Sequence, residues 1–416
     1  MHTKRVSIVK KDGSRLAGIV DRPVDEAPIA HAVFAHCFTC SKDYKAPTYI
    51  SRALAAEGIA VLRFDFTGMG ESEGEPSEST FSANVEDVAE AAAYLERAHE
   101  PPKLLIGHSL GGAAVLKAAA RVDSVAAVVS IAAPSSLEHV SRLFEGSREE
   151  IERRGHAMAD VAGRKFKITK DFLDDLEEAD LRSAIAALDR ALMILHSPVD
   201  RVVGIDNAAD IFKAAKHPKS FVSLDRADHL LSGAEDARYA AAVIAGWSRR
   251  YVGDPQEARK RATRGDNRTV VRTGGDGFRT EILANGHPLI ADEPESVGGT
   301  NTGPTPYELL TASLGACTSM TLRMYADRKG WPLDGVEVRL DHAKVHCEDC
   351  AEAEKGSSKI DRITREITLE GDLDDEQKRR LLEIADRCPV HRTLHSDIEV
   401  VTSLADSESP AERAGR

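Results

Sequence analysis

The chain has 416 residues, 42% hydrophobic and 30% charged, with 68 acidic against 55 basic side chains and a formal net charge of -13. That length suits two or three domains, and the composition is that of a globular protein rather than a disordered or membrane-spanning one. The acidic balance sets nucleic acid aside as the main partner, and the start lacks an apolar signal-peptide core, so a cytoplasmic protein without membrane association is expected.

In chain order, RVSIVKKDGSRLAGIV (5–20) predicts an antiparallel hairpin turning at Asp-Gly. Short apolar runs follow at 31–38, 58–66, 103–109, 125–133, 191–197 and 219–225, alternating with helical segments. This is the pattern of a parallel sheet with crossover helices, an α/β plan over residues 1–252. The charged stretch at about 135–188 predicts helices with solvated faces that cap a pocket. Apolar periodicity fades at 253–269, which reads as a linker. Strands are then expected near 270–291, 335–346, 361–371 and 397–404, with helices over Thr305–Arg328 and about 374–387. That order gives a second, α+β domain over 270–405, with 406–416 as a disordered tail. No internal repeat or low-complexity tract stands out.

Six cysteines (Cys37, Cys40, Cys317, Cys347, Cys350, Cys388) are too few for a disulfide scaffold in this length. A reducing compartment keeps them as thiols, which leaves redox, nucleophilic or metal-binding roles.

Gly107-His108-Ser109-Leu110-Gly111-Gly112 follows an apolar strand and opens an Ala-rich helix. Small residues on both sides of a serine let the chain turn sharply and lift the hydroxyl above the sheet, as a nucleophile elbow requires. A serine hydroxyl needs a base to take its proton and an acid to orient that base. Past the later strands ALMILHS (191–197) and KSFVSLD (219–225), SPVDRVV carries Asp200 and DRADHLL carries His229, in the order Ser, Asp, His. The helix start supplies the Leu110 N–H for a developing oxyanion, and the loop His36-Cys37-Phe38 supplies that of Phe38. Asp225 and Asp228 also lie close enough in sequence to orient the histidine. His36 reads as loop-shaping, and His108 and His196 as packing or hydrogen-bonding residues. Cys37 and Cys40 read either as a redox couple beside the oxyanion site or as small buried thiols.

These residues make positions 1 to about 250 resemble the α/β-hydrolase superfamily, close to its small esterases and serine-aminopeptidase-like members; RFDFTGMGES (63–72) matches that family's loop after the next strand. The resemblance implies an acyl hydrolase that uses no cofactor.

In the second half, Leu314-Gly315-Ala316-Cys317-Thr318 lies inside an apolar helix, and Arg387-Cys388-Pro389-Val390-His391-Arg392 puts a second cysteine at a helix end among cations, which favour a thiolate. These segments resemble the osmotically inducible and organic-hydroperoxide-resistance (OsmC/Ohr) family over 270–405. The resemblance implies an intertwined homodimer in which Cys317 reduces an organic hydroperoxide through a sulfenic acid and Cys388 resolves it as a disulfide, later opened by a dithiol reductant. Two positions depart from the family. Gly274-Gly275 is followed by Asp276 instead of Arg, and Tyr307 takes the place of a Glu, with Glu308 one step later. Arg279 or Arg392 is available to supply the missing charge. His346-Cys347-Glu348-Asp349-Cys350 reads as zinc ligands, as a redox pair, or as a loop without chemistry.

Three functions therefore compete: a small-molecule ester hydrolase with a dimerising C-terminal domain, a thiol peroxidase with an accessory hydrolase, and a hydrolase carrying a noncatalytic scaffold or binding domain.

Overall fold

The computed structural model describes residues 2–404 apart from 25–27, 39, 143, 162–163, 254–268, 275–276, 286 and 347–358, and every apolar run expected in the first half forms a strand. Strands β1 (His2–Val9) and β2 (Arg15–Arg22) pair antiparallel about a turn in which Gly13 has φ 92°. There follow β3 (Ala30–Ala35), α1 (Lys45–Ala56), β4 (Ile59–Phe64), α2 (Phe81–Ala98), β5 (Leu104–His108), α3 (Leu110–Ala118) and β6 (Ala127–Ile131). An insertion comprises α4 (Glu138–Arg142), α5 (Arg148–Arg154), β7 (His156–Val161), β8 (Arg164–Thr169), α6 (Lys170–Glu178) and α7 (Leu181–Ala187). The sheet then resumes with β9 (Ala191–His196), α8 (Asp206–Ala214), β10 (Lys219–Ser223) and α9 (Ala234–Val252).

The eight sheet strands run in the order β1-β2-β4-β3-β5-β6-β9-β10. From β4 to β10 the neighbours are parallel, while β2 meets β4 antiparallel. Strands β3 to β6 and β9 are buried along their whole length, as strands covered by helices on both faces must be, and they read as continuous apolar runs. One face packs under Phe81, Val85, Val88 and Val115 from α2 and α3. The other packs under Ile50, Leu54 and Ile244 from α1 and α9. The chain leaves β3 toward β4 on one side and returns to β5 on the other. The crevice beyond the carboxyl ends of β3 and β5 is thus a switch point, where such sheets place their ligands.

The insertion spans the expected cap. Helix α6 buries Phe172, Leu173 and Leu176 and turns its charges outward. The antiparallel pair β7–β8 was not anticipated; its short alternation, with Ala157 and Ala159 inward and Met158 outward, is hidden in sequence by charged flanks.

The chain divides into two compact units, Met1–Ile290 and Ala291–Arg416. Strands β11 (Thr269–Thr273), β12 (Thr280–Ala284) and β13 (His287–Ala291) form a three-stranded sheet. The division therefore falls inside β13, later than the expected start at 270. Most of the expected linker and the whole of the expected tail lie outside the described residues. The second unit contains α10 (Pro306–Lys329), the antiparallel pair β14 (Gly335–His346) and β15 (Lys359–Glu370), α11 (Asp375–Ala385) and α12 (Pro389–Leu394). Leu322, Ala326, Leu333, Leu373, Leu381 and Ile384 form its core. The strand expected at 397–404 is absent: this segment is irregular, with Ile398, Val400 and Val401 exposed. Its alternation is strand-like, but a strand also needs a hydrogen-bonding neighbour. Among the described residues, no helix is long and apolar enough to cross a membrane.

Candidate active site

Between β5 and α3 the chain reverses at Ser109, with φ 55° and ψ −122°. Such a backbone costs a side-chain-bearing residue ~1–3 kcal/mol and persists only where its surroundings hold it. Here the Ser109 N–H donates to the Ile131 carbonyl at 2.8 Å. A Cβ on Gly107 would strike the Gly111 carbonyl, and one on Gly111 would strike the carbonyls of Ala35 and His36. The glycines thus let α3 close against the end of β3.

Ser109 Oγ lies 3.0 Å from His229 Nε2, and His229 Nδ1 lies 2.7 Å from Asp200 Oδ2. The other Asp200 oxygen accepts the N–H groups of Val202 at 2.8 Å and Val203 at 3.0 Å. Burial alone would raise the Asp200 pKa, but His229 and these two N–H groups outweigh it and hold it below its ordinary value. An ionised Asp200 keeps the proton on Nδ1, so Nε2 faces Ser109 as an acceptor. The Asp228 carboxylate is engaged otherwise, accepting from the Ser232 N–H and hydroxyl, and at Asp225 the backbone N–H donates to Ser223 Oγ.

Leu110 is the first residue of α3, where backbone N–H groups lack intrahelical acceptors. Phe38, in the loop after β3, packs its ring 5.1 Å from Phe172 of α6, which lies 6.0 Å from Phe144. The insertion therefore rests on the loop that presents the second expected oxyanion donor. Asp65, fully buried, holds that loop below: it accepts from Lys42 N and Nζ, each at 2.7 Å, and from Glu71 N at 3.0 Å. This is the work of the RFDFTGMGES stretch.

The three remaining histidines take the bland roles expected. His36 Nδ1 donates to the Cys37 carbonyl at 2.7 Å, His196 Nε2 to the Val203 carbonyl at 2.7 Å, and His108 Nε2 to the His229 carbonyl at 2.6 Å. Burial lowers the pKa of all three, that of His108 to about 3, so each is neutral near pH 7. Of the two readings of Cys37 and Cys40, a redox couple or buried thiols, the structure has the paired one: they are joined as a disulfide. A turn closed by the Cys40 N–H on the Cys37 carbonyl, at 3.0 Å, brings the two side chains together, and spacing alone could not show that.

In the second unit, Cys317 is half-buried on α10 and Cys388 is buried at the start of α12. The Val390 N–H points at Cys317 Sγ (3.5 Å), and Thr318 Oγ1 lies 3.6 Å from Cys388 Sγ. The nearby guanidinium belongs to Arg365 of β15, which donates to Thr318 Oγ1 at 2.9 Å and to Asp386 at 2.7 Å. Of the two suggested arginines, Arg279 pairs with Glu281 at 3.0 Å, and Arg392 is exposed. Nothing in the sequence singles out Arg365. Glu308 caps α10 through Thr305, and Tyr307 stacks on His342 at 4.3 Å, so neither contact reaches the thiols. Cys347 and Cys350 lie outside the described residues.

The alpha/beta hydrolase family model matches residues 32–297, and the OsmC-like protein model matches 299–403. The mouse mitochondrial palmitoyl-protein thioesterase ABHD10 is 30% identical over 174 residues, 38% of this chain and 58% of its own length, so the chain spans less than two thirds of that relative. The uncharacterized protein YfhR of Salmonella typhimurium is 25% identical over 56% of this chain and 76% of its own. Among solved structures, the esterase domain of a Rhodothermus marinus protein is 49% identical with a TM-score of 0.52, over 61% of this chain and all of that one. Est1E from Butyrivibrio proteoclasticus bound to ferulic acid has a TM-score of 0.53 at 19% identity over 59% of this chain and 99% of its own, a likeness of fold.

Proposed function

Because the chain belongs to the alpha/beta hydrolase family through residues 32–297, we propose that its first unit cleaves small carboxylic esters or thioesters through an acyl-Ser109 intermediate. The observation that carries this reading is the continuous line from Asp200 through His229 to Ser109, with links of 2.7 and 3.0 Å. His229 takes the Ser109 proton as Oγ attacks the acyl carbon, and the N–H groups of Leu110 and Phe38 receive the oxyanion. The leaving alcohol or thiol departs with the proton from His229, and water repeats the sequence to free the acid. The likeness to the Rhodothermus esterase domain and to the mouse thioesterase supports this class of substrate. The rings of Phe38, Phe144 and Phe172 favour an apolar acyl group. The test is covalent labelling of Ser109 by a fluorophosphonate, followed by turnover of p-nitrophenyl esters of increasing chain length beside thioester, lactone and peptide substrates. No labelling and no turnover would remove the reading.

The approach of Cys317, Cys388 and Arg365 favours a second activity, hydroperoxide reduction with a dithiol reductant. The exposed Tyr307, Met320 and Met324 on α10 suit a homodimer contact. The full chain is expected to be dimeric by light scattering. Stoichiometric organic hydroperoxide should give a Cys317–Cys388 disulfide in the wild type and a Cys317 sulfenic acid in Cys388→Ser, read by mass spectrometry. Unmodified thiols in both proteins would leave this unit a scaffold.

A further inference from the structure

We infer that Cys37 and Cys40 form a redox site, reduced by dithiols and reoxidised by hydroperoxides, whose state sets the rate at Ser109. The inference rests on the acyl-hydrolase reading above. The pair brackets Phe38, the second oxyanion donor of that reading. Both residues are buried, Cys37 at 3% and Cys40 at 8% exposure. On their third side stands His108: its ligating nitrogen and the two sulfurs all lie within 4.8 Å of one another. His108 in turn holds the backbone carbonyl of His229 at 2.6 Å. The same cluster therefore touches the loop that presents the oxyanion donor and the residue that anchors the base.

Opening the bond changes the volume this cluster needs. Two non-bonded sulfurs need more room than a bonded pair, so reduction must part them. A close-packed interior does not absorb such a shift silently. Both ends of the loop are fixed. The His36 carbonyl abuts Gly111, and Lys42 is tied to Asp65 through its backbone N–H and its ammonium. The groups beside the pair are then Phe38, between the two cysteines in the chain, and His108. A misplacement of ~1 Å at a reacting centre can cost about 100-fold in rate.

The chemistry balances. A dithiol thiolate attacks Sγ of Cys40, the less buried of the two residues, and Cys37 leaves as a thiolate that takes a proton. The second thiol of the reductant then displaces Cys40 and departs as a cyclic disulfide. In the return direction, a hydroperoxide converts one thiolate to a sulfenic acid and leaves as the alcohol. The other thiol condenses with that sulfenic acid and releases water.

The test uses the full chain after dithiothreitol and after cumene hydroperoxide, with the state of Cys37 and Cys40 read by N-ethylmaleimide mapping of the same samples. Reduction is expected to lower kcat for a p-nitrophenyl ester at least tenfold with a smaller change in KM, and reoxidation to restore it. Cys40→Ser should sit at the reduced rate in both treatments. Rates within twofold between mapped disulfide and mapped dithiol would overturn the inference, as would a native bridge that resists reduction. A loss reversed by a chelator would also overturn it, assigning the inhibition to a metal ion on the freed sulfurs and His108. Fluorophosphonate labelling of Ser109 in the oxidised sample keeps the two readings apart: labelling without redox response sinks only the switch, and no labelling sinks the hydrolase.

Discussion

Ser109→Ala is expected to lower ester kcat/KM by ~10⁴-fold or more, because the nucleophile has no substitute and the remaining oxyanion donors and binding surface supply only residual catalysis. His229→Ala should fall about as far, and the double variant little further, since the two residues act as one unit. The fold should tolerate both changes. Alanine at 109 meets the same backbone demand at φ 55° that serine already meets, and the hydroxyl's partner is the partly buried His229 rather than a core group. A shift in Tm of more than about 5 °C would mean that the substitution had disturbed the elbow and not only its chemistry. Steady-state kinetics beside thermal unfolding decide the matter, and turnover within tenfold of wild type in Ser109→Ala would place ester cleavage elsewhere.

The first unit was largely legible because its chemistry is local. The run KLLIGHS followed by LGG fixes a strand, a turn and a helix within ten residues, and the glycines that permit the turn are the ones whose Cβ would strike the Ala35, His36 and Gly111 carbonyls. Asp200 and His229 were readable because each closely follows an apolar strand. Contacts made across the fold left no such trace. Asp65 holding Lys42, and Arg365 reaching Thr318 beside Cys388, join residues 23 and 47 positions apart. For Cys37 and Cys40 the sequence left a couple and two separate thiols both open. The 397–404 segment shows the opposite failure: alternating Ile398 and Val400 state a preference for strand, while the hydrogen-bonding neighbour that would realise it is not a property of the segment. Helix α12 was not among the expected elements; it opens on Pro389, and proline is well suited to the first helical turn.

Asp200→Asn is expected to cost about 10⁴-fold in kcat, by reversing a hydrogen bond rather than by removing bulk. In the wild type the two carboxylate oxygens have different partners: one accepts from the N–H groups of Val202 and Val203, and the other faces His229 Nδ1. An asparagine keeps its carbonyl on the two backbone donors, since its amide group cannot accept from them. The amide is thereby aimed at Nδ1, which must become an acceptor. The proton moves to Nε2, the nitrogen facing Ser109, and the base is blocked by its own hydrogen. Asp225→Asn leaves this line intact and should stay within about threefold of wild type. Stability should follow pH with a definite sign. The folded pKa of Asp200 is depressed, so its contribution is present above the unfolded value of about 3.9 and is lost as pH falls through the lower folded value. The stability gap between wild type and Asp200→Asn should thus be open at pH 7 and narrow below about pH 4. Kinetics and chemical denaturation of the two variants test both parts, and a slow Asp225→Asn beside a fast Asp200→Asn would transfer the orienting role to Asp225.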